Sequence, residues 1–119
     1  MTPEQLIEQL HSAPQDVTFE QVMAVIAENY DYTPTRFTNG KGETQVVNEA
    51  GENEGSCKLL FFTMIHEVNE ALTLACFGDY YRKDVLGNLG GSDHANIRTF
   101  MRNGWEGVLF DGKALTPKG

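Results

Sequence analysis

The feature that most constrains the fold is the apolar run Leu59-Leu60-Phe61-Phe62, which directly follows a polar, glycine-punctuated segment at residues 48–58. Ser56 is a typical N-cap residue, so the pattern predicts a helix that begins beside it and continues to Val68. A helix that is apolar on nearly every side has to be covered by other elements. We therefore predict that this helix is the central, buried element of the fold.

Length and composition limit the class of protein. A chain of 119 residues, 40% of them hydrophobic, fits one globular domain with its own core, so we expect residues 1–119 to form a single domain. The sequence contains no apolar run long enough to span a membrane, and its start lacks the features of a secretory signal peptide. We expect a cytoplasmic protein, unless another export route carries it.

The net charge disfavours two classes of partner, and the cysteine content indicates the state of the thiols. A formal net charge of −8 disfavours nucleic acids and anionic membranes, which bind clustered lysine and arginine side chains. Cys57 and Cys76 are the two cysteines, and in a chain without a signal peptide we interpret them as free thiols.

Helix start signals recur along the chain. Thr2 with Gln5, and Thr18 with Gln21, have the spacing of capping boxes and predict two helices in the first 30 residues. Two further N-caps are predicted in the second half of the chain, at Asn69 and Ser92. With the central helix, the sequence predicts about five helices.

Two segments have the pattern of a β-hairpin. The short β-prone runs at residues 35–38 and 44–47 flank Asn39-Gly40, and residues 108–110 and 113–115 flank Asp111-Gly112. Together with the helices, these hairpins predict an α+β fold that is mostly helical, with a buried central helix.

Cys57 is the candidate nucleophile. It follows the predicted helix start and precedes Lys58, and both the helix dipole and that cation favour a thiolate. His94 is the candidate base, and the pair would make a thiol-dependent hydrolase or transferase. Acidic residues in the loop before Cys57 oppose the thiolate, and the alternative is a cysteine that is packed or merely exposed.

A second candidate site would bind an anion. Tyr80, Tyr81 and Arg82 lie near the end of one predicted helix, and Arg98 lies on another. Two guanidinium groups and two hydroxyls that meet can bind a carboxylate or phosphate. The alternative is that neighbouring aspartates neutralise the arginines and that the tyrosines pack on the core.

The histidines do not predict a metal site. His66-Glu67 begins a zinc-protease-like pattern, but Glu70 occupies the position of the second histidine. We predict neither a metal nor another cofactor.

Several motifs together resemble the HopJ family over nearly the whole chain. They are Phe37-Thr38-Asn39-Gly40, Asn48-Glu49-Ala50-Gly51, Gly55-Ser56-Cys57-Lys58, Phe77-Gly78 with Tyr80-Tyr81-Arg82, Asp93-His94 with Asn96-Ile97-Arg98, and Gly104-Trp105. The resemblance implies a bacterial protein of the type III effector kind, which a type III route would export. It implies no catalytic residues. The leading interpretation is a non-catalytic module that binds a protein partner or a small anion, and the alternative is the thiol enzyme.

Overall fold

Helices form most of the molecule. The computed structural model describes residues 1–118. Its α-helices are α1 (Pro3–Ser12), α2 (Phe19–Asn29), α3 (Glu54–Ile65), α4 (Glu70–Ala75) and α5 (Ala95–Asn103), and a π-helical turn covers Tyr80–Val85. Short 3-10 turns lie at Pro14–Asp16, Gly42–Thr44 and Gly104–Gly107.

Three helices begin as their side chains predict. The N-cap side chains of α1, α2 and α4 each accept a hydrogen bond from a backbone N–H in the first turn, which satisfies a donor that the helix itself leaves free. These bonds run from Gln5 N to Thr2 Oγ1 (3.1 Å), from Gln21 N to Thr18 Oγ1 (3.0 Å) and from Leu72 N to Asn69 Oδ1 (2.8 Å).

Two predicted helix starts are wrong. Helix α3 begins at Glu54 after Asn53, and α5 begins at Ala95 after His94, so neither Ser56 nor Ser92 is an N-cap. Asn53 and His94 have left-handed φ angles of 48° and 51°, and neither side chain caps its own helix. The reason is that each side chain bonds to a residue outside its own helix, Asn53 to Asn48 and His94 to Asp84.

The strands form two small antiparallel sheets. Strands β2 (Phe37–Asn39) and β3 (Val46–Asn48) form the first predicted hairpin, and β4 (Leu109–Phe110) adds to the other edge of β2. Strand β1 (Tyr30–Tyr32) pairs with β5 (Leu115–Pro117). The hairpin predicted around Asp111-Gly112 is therefore wrong, because the strands on its two sides join different sheets.

Helix α3 is the centre of the core. Leu59, Leu60 and Phe62 are fully buried, and Phe62 meets the ring of Tyr30 edge-on at 5.9 Å between centroids. The helix ends at Ile65 rather than at Val68 as predicted, because the chain turns at Glu67, where φ is 54°. The α+β fold with a buried central helix is confirmed.

Candidate functional site

A cleft of about 570 Å³ opens where the N-termini of α3 and α5 meet the start of α2. Phe77 and Ile97 are buried beneath it, whereas Tyr80 at its side is 42% exposed. The other lining residues are Phe19, Asn53, Gly55, Ser56, His94, Ala95 and Asn96. Backbone from two helix starts and aromatic side chains therefore share one concave surface.

Aromatic rings form one wall of the cleft. Phe19 stacks on Phe77 at 6.4 Å between centroids and meets Tyr80 edge-on at 5.3 Å. A Cβ on Gly55 would lie 2.7 Å from the Phe19 ring, so glycine at this position lets the first turn of α3 approach the wall.

The first turns of α3 and α5 present free backbone donors. Among the described residues, no acceptor faces the N–H groups of Glu54, Gly55, Ser56, Ala95, Asn96 and Ile97. The first donors satisfied are those of Cys57, on Asn53 O at 3.0 Å, and Arg98, on His94 O at 3.1 Å. Helix N-termini carry partial positive charge, so both favour an anion in the same cleft.

A cluster of four asparagines fixes these two helix starts against the sheet. Asn48 Oδ1 accepts from Asn53 Nδ2 at 2.7 Å and from Asn96 Nδ2 at 2.9 Å. Asn96 Oδ1 accepts from Asn39 Nδ2 at 3.1 Å and from Asn48 Nδ2 at 3.2 Å. Our sequence reasoning missed the cluster, although Asn39, Asn48 and Asn96 stand in the motifs that carry the family resemblance.

His94 lies at the cleft among polar neighbours. Its Nε2 is 3.1 Å from Asp84 Oδ2, and its ring lies 5.4 Å from that of Tyr80. Tyr80 and Asp84 both belong to the π-helical turn, an element that occurs often at functional sites. Of the predicted site residues, His94 and Tyr80 thus line one cleft.

Cys57 is not among the residues that line this cleft. Its side chain is 1% exposed, and Sγ lies 3.6 Å from the carbonyl oxygen of Thr35. Burial raises the pKa of the Cys57 thiol. The predicted helix-start effect is outweighed by burial, and the described contacts of His94 do not include Cys57.

The predicted anion ligands Arg82 and Arg98 make separate sets of contacts. The Arg82 guanidinium donates to the carbonyl oxygens of Val17 (2.6 Å), Ala75 (3.2 Å) and Pro14 (3.4 Å). Arg98 donates to Asp93 Oδ1 at 2.6 Å, and this bond holds the pKa of the aspartate below its usual value.

These contacts change the predicted ligand set. Of Tyr80, Tyr81, Arg82 and Arg98, only Tyr80 lines the cleft; Tyr81 is half-buried and packs against the core. A ligand held by both arginines would require each guanidinium to leave its protein partners. The donors that lack a protein acceptor at the cleft are the first-turn N–H groups of α3 and α5, which the sequence reasoning did not consider.

The fold and the cleft define a small α+β domain with a pocket at the meeting point of two helix N-termini. A family model described as HopJ type III effector protein matches residues 3–115, and the chain belongs to this family, as its motifs predicted. No curated protein matches the chain.

A solved crystal structure supports the same fold. The chain is 48% identical to the unknown function protein VPA0580, with a TM-score of 0.91, and the match covers 97% of this chain and 92% of that one.

Within residues 1–118, no helix is both long and apolar enough to cross a membrane.

Proposed function

We propose that the domain is a non-catalytic module that binds a small organic oxyanion in the cleft between α3 and α5. One observation carries the proposal: two helix N-termini without side-chain caps open into the same cavity. An oxyanion such as a carboxylate or phosphate would accept hydrogen bonds from backbone N–H groups on both helices and would be stabilised by both dipoles.

The wall of the cleft favours a ligand with an apolar body. Phe19, Phe77 and Ile97 offer carbon surface next to the free donors, and ligand pockets typically combine such surface with a few polar groups. An aromatic or aliphatic carboxylate would place its charged end at the helix starts and its body on the rings.

Local charge is compatible with an anion despite the net charge of −8. Two acidic side chains beside the cleft have partners, since Asp93 is bonded to Arg98 and Asp84 to His94. Glu54, in the first turn of α3, has no described ion pair. Backbone dipoles therefore supply the attraction in this proposal, and the arginines of the predicted set do not take part.

Binding is proposed rather than catalysis because the candidate nucleophile is inaccessible. A thiol enzyme would need Cys57 to reach the cleft as a thiolate, whereas its side chain is buried and its pKa is raised. A protein partner would have to occupy the same cleft with a carboxylate, such as a chain end.

The family description also motivates the proposal that the module acts as a type III effector, which fusion to a translocation reporter would test.

Calorimetric titration with benzoate tests the anion site. Ala95 and Ala71 are both exposed and lie in first helical turns, but only Ala95 lines the cleft. Ala95→Asp would place a carboxylate at the donors of α5, and we expect it to weaken benzoate binding about tenfold or more, equivalent to about 1.4 kcal/mol.

Ala71→Asp is the matched control, because it adds the same charge to the first turn of α4 and should leave the affinity unchanged. Equal losses in the two variants would indicate a long-range effect of charge. Absence of benzoate and inorganic phosphate binding to the unmodified protein at millimolar concentrations would refute the proposed function.

A further inference from the structure

We infer that Asn48 is the positioning residue of the anion cleft: its single amide sets the N-termini of α3 and α5 relative to each other and keeps the first-turn donors of α3 free. The inference rests on the proposed function of the cleft. Asn48 does not line the cavity, so it would act through its two neighbours, Asn53 and Asn96.

The hydrogen bonds of Asn48 reach three elements. Its Oδ1 accepts from Asn53, the N-cap of α3, and from Asn96 in the first turn of α5. Its Nδ2 donates to Asn96 Oδ1 at 3.2 Å and to the carbonyl oxygen of Phe37 on β2 at 3.4 Å. Because Asn48 is fully buried in β3, loss of this amide would leave several polar groups without partners.

The bond to Asn53 has a second consequence. An asparagine at an N-cap normally uses its side chain to cap the first turn, as Asn69 does in α4. Asn53 instead directs its Nδ2 to Asn48 at 2.7 Å and makes no capping bond. The bond to Asn48 fixes the orientation of the Asn53 side chain, whose Oδ1 makes no bond to the first turn of α3, and the donors of Gly55 and Ser56 stay available to a ligand.

Asn39 provides a matched comparison within the same cluster. It is also fully buried, and its Nδ2 donates to Asn96 O at 2.9 Å and to Asn96 Oδ1 at 3.1 Å. It makes no side-chain bond to Asn53 among the described contacts. Removal of Asn39 should disturb α5 alone, whereas removal of Asn48 should disturb both helix starts.

The test combines amide NMR spectra of the ligand-free proteins with benzoate titrations. In Asn48→Ala we expect the resonances of both first turns to move and benzoate affinity to fall about tenfold, equivalent to about 1.4 kcal/mol. In Asn39→Ala only the α5 resonances should move, and affinity should fall less. An unchanged first turn of α3 in Asn48→Ala, or equal affinity losses in the two variants, would overturn the inference.

The ligand-free spectra separate this inference from the proposed function. If the unmodified protein binds no benzoate, the proposed function fails, but the spectra of Asn48→Ala still decide whether Asn48 positions both helices.

Asn48→Asp decides the matter if the alanine variant does not fold. It keeps an acceptor oxygen, but its carboxylate lacks the donor and adds negative charge until it is protonated. Its affinity relative to the unmodified protein at the same pH should recover on acidification. A ratio that does not depend on pH would contradict a role for the Asn48 donor.

Discussion

The helix starts of this molecule fall into two groups, and the difference between them points to the site. Helices α1, α2 and α4 begin with Thr2, Thr18 and Asn69, whose side chains satisfy a first-turn donor locally. Helices α3 and α5 begin with Asn53 and His94 in left-handed conformations, and those side chains bond to Asn48 and Asp84 instead. Each helix in the first group has one first-turn donor satisfied by its N-cap side chain, whereas the first-turn donors of α3 and α5 have no described protein acceptor.

Helix α3 has no side-chain cap, so its stability must come from burial. Phe62 is fully buried and packs against Tyr30 and His66, with ring centroids 5.9 Å and 4.6 Å away. Phe62→Ala should lower the free energy of unfolding by about 3–5 kcal/mol through lost transfer energy and a new cavity. Urea unfolding measures this; a loss below about 1 kcal/mol would show that α3 is not held by its core face.

Substitution of Arg82 tests whether the basic residues have a structural or a ligand-binding role. Its half-buried guanidinium satisfies three carbonyl oxygens, so Arg82→Ala should cost about 2–3 kcal/mol of stability, because those acceptors lose a charged donor. Benzoate affinity should not change. Arg82→Lys should recover only part of the stability, because an ammonium group lacks the planar fork of donors. Weaker benzoate binding in the folded Arg82→Ala variant would show that Arg82 contributes to the ligand site.

The buried thiols predict a loss of stability at alkaline pH. Burial raises the pKa of Cys76 from 9.0 to about 12 and also raises that of Cys57. Both thiols stay protonated in the folded state when they ionise in the unfolded state, so their contribution is complete below about pH 9 and is lost as the pH rises towards the folded pKa. Each should lower the free energy of unfolding by about 1.4 kcal/mol per pH unit in that window.

Cysteine variants show which thiol causes the loss of stability at alkaline pH. Cys76→Ala should be less stable near neutral pH but should lose less stability per pH unit above pH 9. Cys57→Ser should fold and keep its benzoate affinity. Rapid alkylation of Cys57 at mild pH, abolished by substitution of His94, would instead favour the thiol-enzyme alternative.

The smallest expected effects compare the two groups of helix starts directly. Thr18→Ala removes a capping bond of 3.0 Å and should cost about 1 kcal/mol. His94→Gly removes no cap and relieves a left-handed conformation, so it should cost less than Thr18→Ala despite the lost contact with Asp84. A larger loss in His94→Gly would mean that His94 stabilises α5 in a way the hydrogen bonds do not reveal.

Local signals explain how much of the fold the sequence predicts. The three capped helices, the hairpin around Asn39-Gly40 and the buried α3 all follow from neighbouring residues, and each is confirmed. The starts of α3 and α5 were mispredicted because Asn53 and His94 bond to residues outside their own helices, Asn48 and Asp84, rather than to their own first turns. The prediction of a hairpin around Asp111-Gly112 was wrong because β5 pairs with β1, a strand that the sequence reasoning missed.

The candidate site was predictable only in part. His94 and Tyr80 were identified as functional candidates, and both line the cleft, but they were assigned to different sites with Cys57 and the arginines. Backbone donors cannot be recognised from the sequence, because every residue type except proline supplies one. The asparagine cluster needs four positions from separate elements, whose proximity is a property of the tertiary structure.

The most direct test of the paired-helix site is an amide NMR titration of the unmodified protein with benzoate, with chloride as the control for ionic strength. We expect the largest saturable shifts at the N–H groups of Gly55, Ser56 and Asn96, which lie in the first turns of both α3 and α5. The first turns of α1 and α4, which do not line the cleft, should not move. Shifts confined to one helix, or centred on Arg82 and Arg98, would contradict a site formed by two helix N-termini.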